Sequence, residues 1–147
     1  MKKSKYLQGL FTPQNPQKYL GNQKPFFRSS LELKFMSWCD KNNKVIKWGS
    51  ENVVIPYYNE LTKRTHRYFV DNFIIFKDGD NLVKYLIEIK PRSQTVPPTT
   101  NYSKKSHLIY EQKRYIQNMC KWKHAEMFAK KHNCKFLILT EEELGKL

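Results

Sequence analysis

Two apolar segments near the middle of the chain, residues 67–76 and 85–91, carry charged side chains at positions where a core strand is normally apolar. Both segments are rich in Val, Ile, Phe and Tyr, a composition that favours strands. The charged residues are Asp71 in the first segment and Glu88 and Lys90 in the second. Because a buried carboxylate without a partner is costly and normally acquires a cation, two acids and a lysine inside strands predict a metal site.

The register of the hairpin between these segments decides whether the side chains meet. If residues 78–79 form a two-residue turn, Asp71 lies opposite Leu86 and diagonal to Glu88 on the same face. Lys90 shares that face because side chains alternate along a strand. Diagonal neighbours lie roughly 7–8 Å apart at the backbone, so two carboxylates can converge on one ion. A three-residue turn would place them on opposite faces.

Each charged motif also has an ordinary structural explanation. An aspartate at a strand start, such as Asp71, is often a cap or a turn residue. Glu88 and Lys90 have the spacing expected where a cross-strand salt bridge lies on a solvated edge. The expected position of Asp71, Glu88 and Lys90 on the same face of the hairpin favours one shared site over two independent surface features.

A helix is predicted to open at residues 29–32 and to run to about Asp40, with apolar side chains at helical spacing on one face. Glu32 in its first turn has two interpretations. Ser29 and Glu32 match a capping box, in which the glutamate accepts a hydrogen bond from the backbone N–H of the first residue. Glu32 also aligns with Phe35 three residues on, which directs it partly inward. The pattern alone favours neither interpretation.

The whole pattern predicts an α/β domain in the order α-β-β-β-α-β, with a mixed central sheet flanked by helices. Residues 1–28 are basic and lack acids, so they are predicted to form an extended N-terminal arm. It is either a disordered or surface-wrapped tail, or a segment that clamps nucleic acid or anchors in a larger assembly. Residues 29–147 are predicted to form a single domain. Its further predicted elements are strands at Val45–Trp48 and Asn52–Tyr58, a helix from about Ser103 to Lys131, and a strand at Cys134–Thr140.

The charge balance adds an anionic partner to this picture. The chain of 147 residues has 27 Lys and Arg against 13 acids, a formal charge of +14 and a pI near 9.7. We therefore expect it to bind DNA, in double-stranded form and mainly through phosphates. The lysines of the long helix equally fit a solvated face. The candidate DNA-binding residues are Lys63, Arg64, Arg67, Arg92, Lys113 and Lys121.

Two features bear on the compartment. No run approaches the roughly 20 apolar residues that span a membrane, and the lysine-rich start contains no apolar signal core. The three cysteines, Cys39, Cys120 and Cys134, have no paired spacing, which fits a reducing environment. We expect cytosolic residence and no membrane partner.

Over roughly residues 29–140, the order of elements and the motifs resemble the PD-(D/E)xK nuclease superfamily. Four segments are similar to its TnsA-like branch, which contains the TnsA transposon-end endonucleases: RSSLE at 28–32, IPY at 55–57, YFVD at 68–71 and IEIKP at 87–91. The basic start KYLQG at 5–9, and PP at 97–98 ahead of KW at 121–122, resemble the head-completion nucleases of large contractile-tailed phages. The resemblance implies a restriction-endonuclease-like fold.

The resemblance also implies four catalytic residues: Glu32, Asp71, Glu88 and Lys90. The implied metal ligands are Asp71, Glu88 and the Ile89 carbonyl, with Glu32 as a further candidate. Such oxygen ligands suit Mg²⁺ or Mn²⁺, and the lysine would orient the nucleophile or neutralise charge in the transition state. Val70 replaces the proline that usually precedes the superfamily's aspartate, a departure that removes no ligand.

The implied function is that of a metal-dependent DNA endonuclease that acts in phage head completion on DNA at the portal or neck. Its setting would be the host cytoplasm during assembly and then the head or neck of the virion. Portal or neck proteins would be its partners, and concerted cutting of both strands would need a homodimer or a higher oligomer. Two alternatives stay open: a non-catalytic neck or DNA-binding structural protein with a nuclease-like fold, and the end-cleaving subunit of a transposase.

Overall fold

A computed structural model describes residues 7–99 and 104–147. Its helices are α1 (Ser30–Lys41), α2 (Lys105–Lys131) and α3 (Glu141–Leu144). Its strands are β1 (Gly9–Leu10), β2 (Tyr19–Leu20), β3 (Phe26–Phe27), β4 (Val45–Ser50), β5 (Val54–Asn59), β6 (Arg64–Phe69), β7 (Asn72–Asp78), β8 (Asn81–Ile89) and β9 (Lys135–Leu139). Within this described part, no helix is both long and apolar enough to cross a membrane.

The centre of the fold is a mixed five-stranded sheet in the order β2-β4-β7-β8-β9. Strands β4, β7 and β8 are antiparallel, whereas β2 and β9 pair in parallel with β4 and β8. Along the chain after the arm, the central-sheet strands and the two long helices follow one another as α1, β4, β7, β8, α2 and β9, as the sequence predicts. Strands β5 and β6 form a separate antiparallel hairpin between β4 and β7.

Side-chain alternation along the sheet produces a core on each face. Ile74 and Ile87 point towards α1, where they join a cluster around Phe35 and Trp48. On the other face, Leu86 packs with Trp122 of α2 and with buried side chains of the β5–β6 hairpin. The hairpin and α2 therefore cover the face of β8 that also carries residues 88 and 90.

The apolar segment at residues 67–76 is not one strand, contrary to the prediction. Strand β6 ends at Phe69 in the hairpin, and β7 starts at Asn72 in the central sheet. Val70 and Asp71 form the crossing: the Val70 N–H donates to the Val53 carbonyl at 3.0 Å, and the Asp71 carbonyl accepts from the Glu51 N–H at 3.1 Å. An unbroken apolar run does not show where a chain changes sheets. Asp71 thus lies at a strand start, where a polar side chain is easily placed.

The β7–β8 turn is also shifted from its predicted position. Asp78 pairs with Asn81, so the turn residues are Gly79 and Asp80 rather than residues 78–79. Gly79 has φ +61° at the first turn position, where a type II′ turn favours glycine. Since the shift in pairing is two residues, parity is kept. The register that pairs Asn72 with Ile87 therefore continues to Asp71 opposite Glu88, not opposite Leu86.

The predicted arm packs against the domain through the part of it that the structure describes. Strand β2 forms one edge of the central sheet, and the Tyr19 ring contacts Trp48 at a centroid distance of 4.8 Å. The Lys18 ammonium donates to three main-chain oxygens at the end of α1: Cys39 O at 2.7 Å, Asp40 O at 3.0 Å and Asn42 O at 2.8 Å. The boundary at residue 28 stays a prediction, and residues 1–6 lie outside the described residues.

The helices lie close to their predicted positions. Helix α1 begins at Ser30 behind a Ser29 cap and ends at Lys41, one residue beyond the predicted end. Helix α2 begins at Lys105, and the predicted start at Ser103 falls outside the described residues.

Candidate active site

Asp71 and Glu88 meet where β7 begins and β8 ends. The Asp71 carboxylate accepts a hydrogen bond from the Ile89 N–H at 2.7 Å, which fixes the aspartate against the end of β8. Glu88 is 4% exposed, and the Lys90 ammonium lies 3.6 Å from its Oε1. The structure therefore brings together three of the four predicted catalytic residues.

Tyr68 joins this group from the hairpin. Its phenol donates a hydrogen bond to Glu88 Oε2, and its side chain is buried. Burial, followed by the nearby Glu88 charge, raises the pKa of Tyr68 above its ordinary value, so the phenol remains a donor. The sequence does not single out this residue, because a tyrosine three positions before Asp71 in an apolar run is indistinguishable from an ordinary core aromatic.

The two carboxylates share an environment that disfavours their charged forms. Burial is the main cause of the raised pKa of Asp71, and the neighbouring Glu88 charge raises this pKa further. The hydrogen bond from the Ile89 N–H acts in the opposite direction. Burial also raises the pKa of Glu88, opposed chiefly by the Lys90 charge and the Tyr68 hydrogen bond. Burial therefore outweighs the nearby lysine charge at both carboxylates, and a bound divalent ion would favour their charged forms.

Lys121 comes to the same place from α2. Its ammonium lies 5.6 Å from the Tyr68 ring centroid and 5.9 Å from that of Tyr57. Burial and the repulsion from Lys90 lower the pKa of Lys121, while the Glu88 and Asp71 charges oppose that shift. Of the six predicted DNA-binding residues, this one is placed beside the acids.

The other five basic residues are on the exposed surface. Lys63 and Arg64 lie at the turn end of the β5–β6 hairpin, and the Arg67 guanidinium lies 5.6 Å from the Phe69 ring centroid on its outer face. Arg92 follows β8 and forms an ion pair with Glu142 at 2.5 Å. Lys113 projects from α2. All five are therefore exposed, and their binding of DNA stays a prediction.

Glu32 combines its two predicted interpretations. Its backbone N–H donates to the Ser29 hydroxyl at 3.1 Å, as a helix cap requires, but its carboxylate accepts from the Arg28 N–H instead of completing the capping box on Ser29. The side chain lines a small cleft together with Arg28, Glu51 and Asp71. Glu32 thus lies near Asp71 but approaches from α1.

Arg28 and Glu51 form the wall of that cleft. Their side chains make an ion pair, and Glu51 has φ +53°, in the left-handed region. Glu51 is the same residue whose N–H binds the Asp71 carbonyl. Strained backbone of this kind is concentrated at functional sites. The pair leaves no signal in the sequence, because Arg28 and Glu51 are 23 residues apart.

The donor set suits a hard divalent ion. Glu88 supplies a buried carboxylate and Asp71 a half-buried one, and Ile89, whose N–H binds Asp71, adds a main-chain carbonyl as a candidate ligand. Across residues 7–99 and 104–147, no group of three or more His, Cys, Asp or Glu side chains is arranged to hold an ion. Two carboxylates with a carbonyl still fit Mg²⁺, because this ion retains several waters and is usually bound by one or two carboxylates.

The fold, with two acids and a lysine at the end of a central strand, defines an endonuclease domain of the TnsA-like type. Residues 42–141 match the family model described as TnsA-like endonuclease N terminal, and the chain belongs to this family. It is also 39% identical over 148 residues to the head completion nuclease of Enterobacteria phage T4, across 95% of this chain and 94% of that protein.

These comparisons confirm the resemblance and the restriction-endonuclease-like α/β class inferred from the sequence. Asp71, Glu88 and Lys90 fall inside the segment that matches the family model, whereas Glu32 precedes it. The roles of the four residues stay predictions.

Proposed function

We propose that this protein is a Mg²⁺- or Mn²⁺-dependent endonuclease that hydrolyses DNA phosphodiester bonds. One observation carries the proposal: in a chain of the TnsA-like endonuclease family, the buried Glu88 carboxylate and the half-buried Asp71 carboxylate, both with raised pKa values, converge beside a lysine. Asp71, Glu88 and the Ile89 carbonyl would hold the ion, and Glu32 would contact it or a bound water from α1.

The residues of the chain prepare the site for this reaction. The Ile89 N–H orients Asp71, and Tyr68 orients Glu88, so neither carboxylate needs to reorganise. Lys90 carries its charge 3.6 Å from Glu88, where it can face a phosphate oxygen or the attacking water. The ion would supply Lewis acidity and lower the pKa of a bound water. Hydrolysis breaks one P–O bond, leaving a phosphate and a hydroxyl with no covalent intermediate.

The basic surface would hold the DNA around this site. Lys63, Arg64 and Arg67 lie on the hairpin whose last strand leads directly to Asp71, and Arg92 follows Lys90 by two residues. Lys113 and Lys121 extend the charge along α2. Since phosphate contacts release counterions, binding should weaken steeply with salt and depend little on sequence.

The biological setting comes from the relative. Because the chain aligns with nearly the full length of the phage head completion nuclease, we infer a role in head completion, on DNA at the portal or neck. Portal or neck proteins are the expected partners, in the host cytoplasm during assembly and then in the virion. Cutting both strands together would require a homodimer or a larger assembly.

Cleavage of linear and supercoiled DNA by the purified protein tests the proposal. We expect cutting with Mg²⁺ or Mn²⁺, none with EDTA, and none from the Asp71→Ala or Lys90→Ala variants. Lys84→Ala is the matched control, because Lys84 is an exposed lysine in β8, the strand that ends just before Lys90. Salt-sensitive binding without metal-dependent cutting would replace the proposal with a non-catalytic DNA-binding protein of the same fold.

A further inference from the structure

Lys121 is placed unlike an ordinary helix-surface lysine. Its side chain is partly buried between α2 and the β5–β6 hairpin, whereas Lys123, two residues on, is exposed. A strongly hydrated ammonium normally stays in water. Something in the fold must therefore compensate for its burial.

Two kinds of partner hold the Lys121 ammonium. The Tyr57 and Tyr68 ring centroids lie at 5.9 and 5.6 Å, within the range of cation–π attraction. The second partner is the charge of Asp71 and Glu88, which favours the protonated amine. Tyr68 links the two, since its ring faces Lys121 while its phenol binds Glu88.

We propose that Lys121 is a second functional cation of the acid site, held by the two tyrosine rings where it competes with the divalent ion for Asp71 and Glu88 and contacts the scissile phosphate. This inference rests on the proposed nuclease function. It assigns Lys121 a task distinct from the outer basic residues, which only hold the DNA. Lys90, directly after β8, and Lys121, in α2, would then flank the acids from two different parts of the chain.

Removal of the Lys121 charge should change the affinity for the divalent ion in a direction that other roles of this lysine do not predict. A fixed positive charge opposes the binding of a nearby divalent ion, so its removal should tighten ion binding, by about tenfold for charges several ångströms apart in a partly solvated site. A lysine that only packs α2 or anchors distant phosphates would not change the ion affinity. Removal should also slow cleavage, because the transition state loses a preorganised positive charge, an effect of roughly 100-fold or more.

The test uses the full-length protein, stripped of metal, with Lys121→Met, Lys121→Arg and the control Lys123→Met. Methionine keeps the apolar stem over the rings and removes the charge. Calorimetric titration with Mn²⁺ in the absence of DNA should show tighter binding for Lys121→Met, and wild-type affinity for Lys121→Arg and Lys123→Met. Single-turnover cleavage at saturating Mg²⁺ should be slowed in Lys121→Met but not in Lys123→Met.

Two results would overturn the inference separately from the nuclease function. In the first, the wild type binds Mn²⁺ and cuts DNA, but Lys121→Met has the same ion affinity as Lys123→Met. In the second, Lys121→Met cleaves at the wild-type rate once Mg²⁺ and DNA are saturating, which would leave Lys121 as a binding residue alone. A wild type that neither binds Mn²⁺ nor cuts DNA would remove the proposed function, and this inference with it.

Discussion

The protein buries charge in two places, and the two are organised in opposite ways. At the end of α1, Asp40 is 1% exposed and accepts hydrogen bonds from the backbone of Gln14 at 2.8 Å and of Asn15 at 2.9 Å. Lys18 binds three carbonyl oxygens beside it. At the acid site, by contrast, Asp71 and Glu88 lie next to each other, and each raises the energy of the other's charge.

The difference separates charge that stabilises the fold from charge kept for function. The anchor formed by Lys18 and Asp40 is satisfied within the chain, because main-chain groups fill the hydrogen-bonding positions and fasten the N-terminal segment to α1. In the acid site, burial and the like charge of the neighbouring acid make the charged form of each carboxylate unfavourable, and an added cation would offset that cost. Substitutions at the two places should therefore act on different properties.

The largest expected effect is on catalysis at the acid site. Asp71→Asn keeps the shape of the side chain but removes a charge that would bind the ion, so single-turnover cleavage should fall by roughly 1,000-fold or more. The same variant should fold at least as stably as the wild type in EDTA. Asp78→Asn, at the exposed far end of the strand that follows Asp71, is the control and should change neither property. Cleavage at the wild-type rate by Asp71→Asn would place the active site elsewhere.

The next effect is on stability at the anchor. Asp40→Ala leaves two partly buried N–H groups without an acceptor and removes the negative charge beside Lys18, so it should lower the free energy of unfolding by about 2 kcal/mol. Urea denaturation measures this change. The fraction that remains folded should still cleave DNA at the wild-type rate. A loss below about 0.5 kcal/mol, the range of ordinary surface substitutions, would mean that the anchor does not hold the segment.

The pH dependence of the free energy of unfolding should show directly that charging Asp71 and Glu88 destabilises the folded state. A carboxyl group whose pKa is raised by folding binds its proton more tightly in the folded state, so stability falls as the pH rises from the ordinary carboxyl range, near 4, through the raised pKa values. In EDTA, Asp71→Asn and Glu88→Gln should therefore be more stable than the wild type at pH 8, by about 1 kcal/mol, and the advantage should vanish near pH 4.

Divalent ions should reverse that ranking. Mg²⁺ binds the folded wild type and raises its stability by mass action, whereas Asp71→Asn has lost a ligand and should gain less. Denaturation at pH 8 with and without Mg²⁺ measures both changes. An equal gain in the wild type and the variant would show that the ion binds away from Asp71.

The contrast between the two places also explains how far the sequence leads. Alternation along β7 and β8 is a local property, so the shared face of Asp71, Glu88 and Lys90 could be predicted even though the turn lies one residue further along the chain than expected, which shifts the pairing by two residues. A two-residue shift in pairing keeps Asp71 and Glu88 on the same face of the sheet, whereas a one-residue shift would have put them on opposite faces. Gly79 could have corrected the predicted turn, because a glycine at the first turn position favours the type II′ geometry.

The missed features all depend on contacts between distant segments. Tyr68 reaches the acids only because the hairpin packs on that face of the sheet, and it does not stand out in its own segment. Lys121 is a predicted DNA-binding residue, but its place beside the acids depends on the packing of α2 on the same face. The anchor joins Lys18 to residues more than 20 positions away. Local periodicity carries no information about such pairings, so the candidate ion ligands could be predicted but not the side chains that surround them.

The smallest effects concern Glu32, which shares features of both places. Ser29→Ala removes the hydroxyl that caps α1 and should cost about 0.5–1 kcal/mol of stability. Glu32→Gln should cost less than that, because the glutamine oxygen can still accept from the Arg28 N–H. If Glu32 belongs with the acids, Glu32→Gln should slow cleavage while Ser29→Ala does not. Cleavage and urea denaturation of both variants separate the two roles: unchanged cleavage by Glu32→Gln would assign this residue to the helix cap alone and leave Asp71, Glu88 and Lys90 as the complete predicted site.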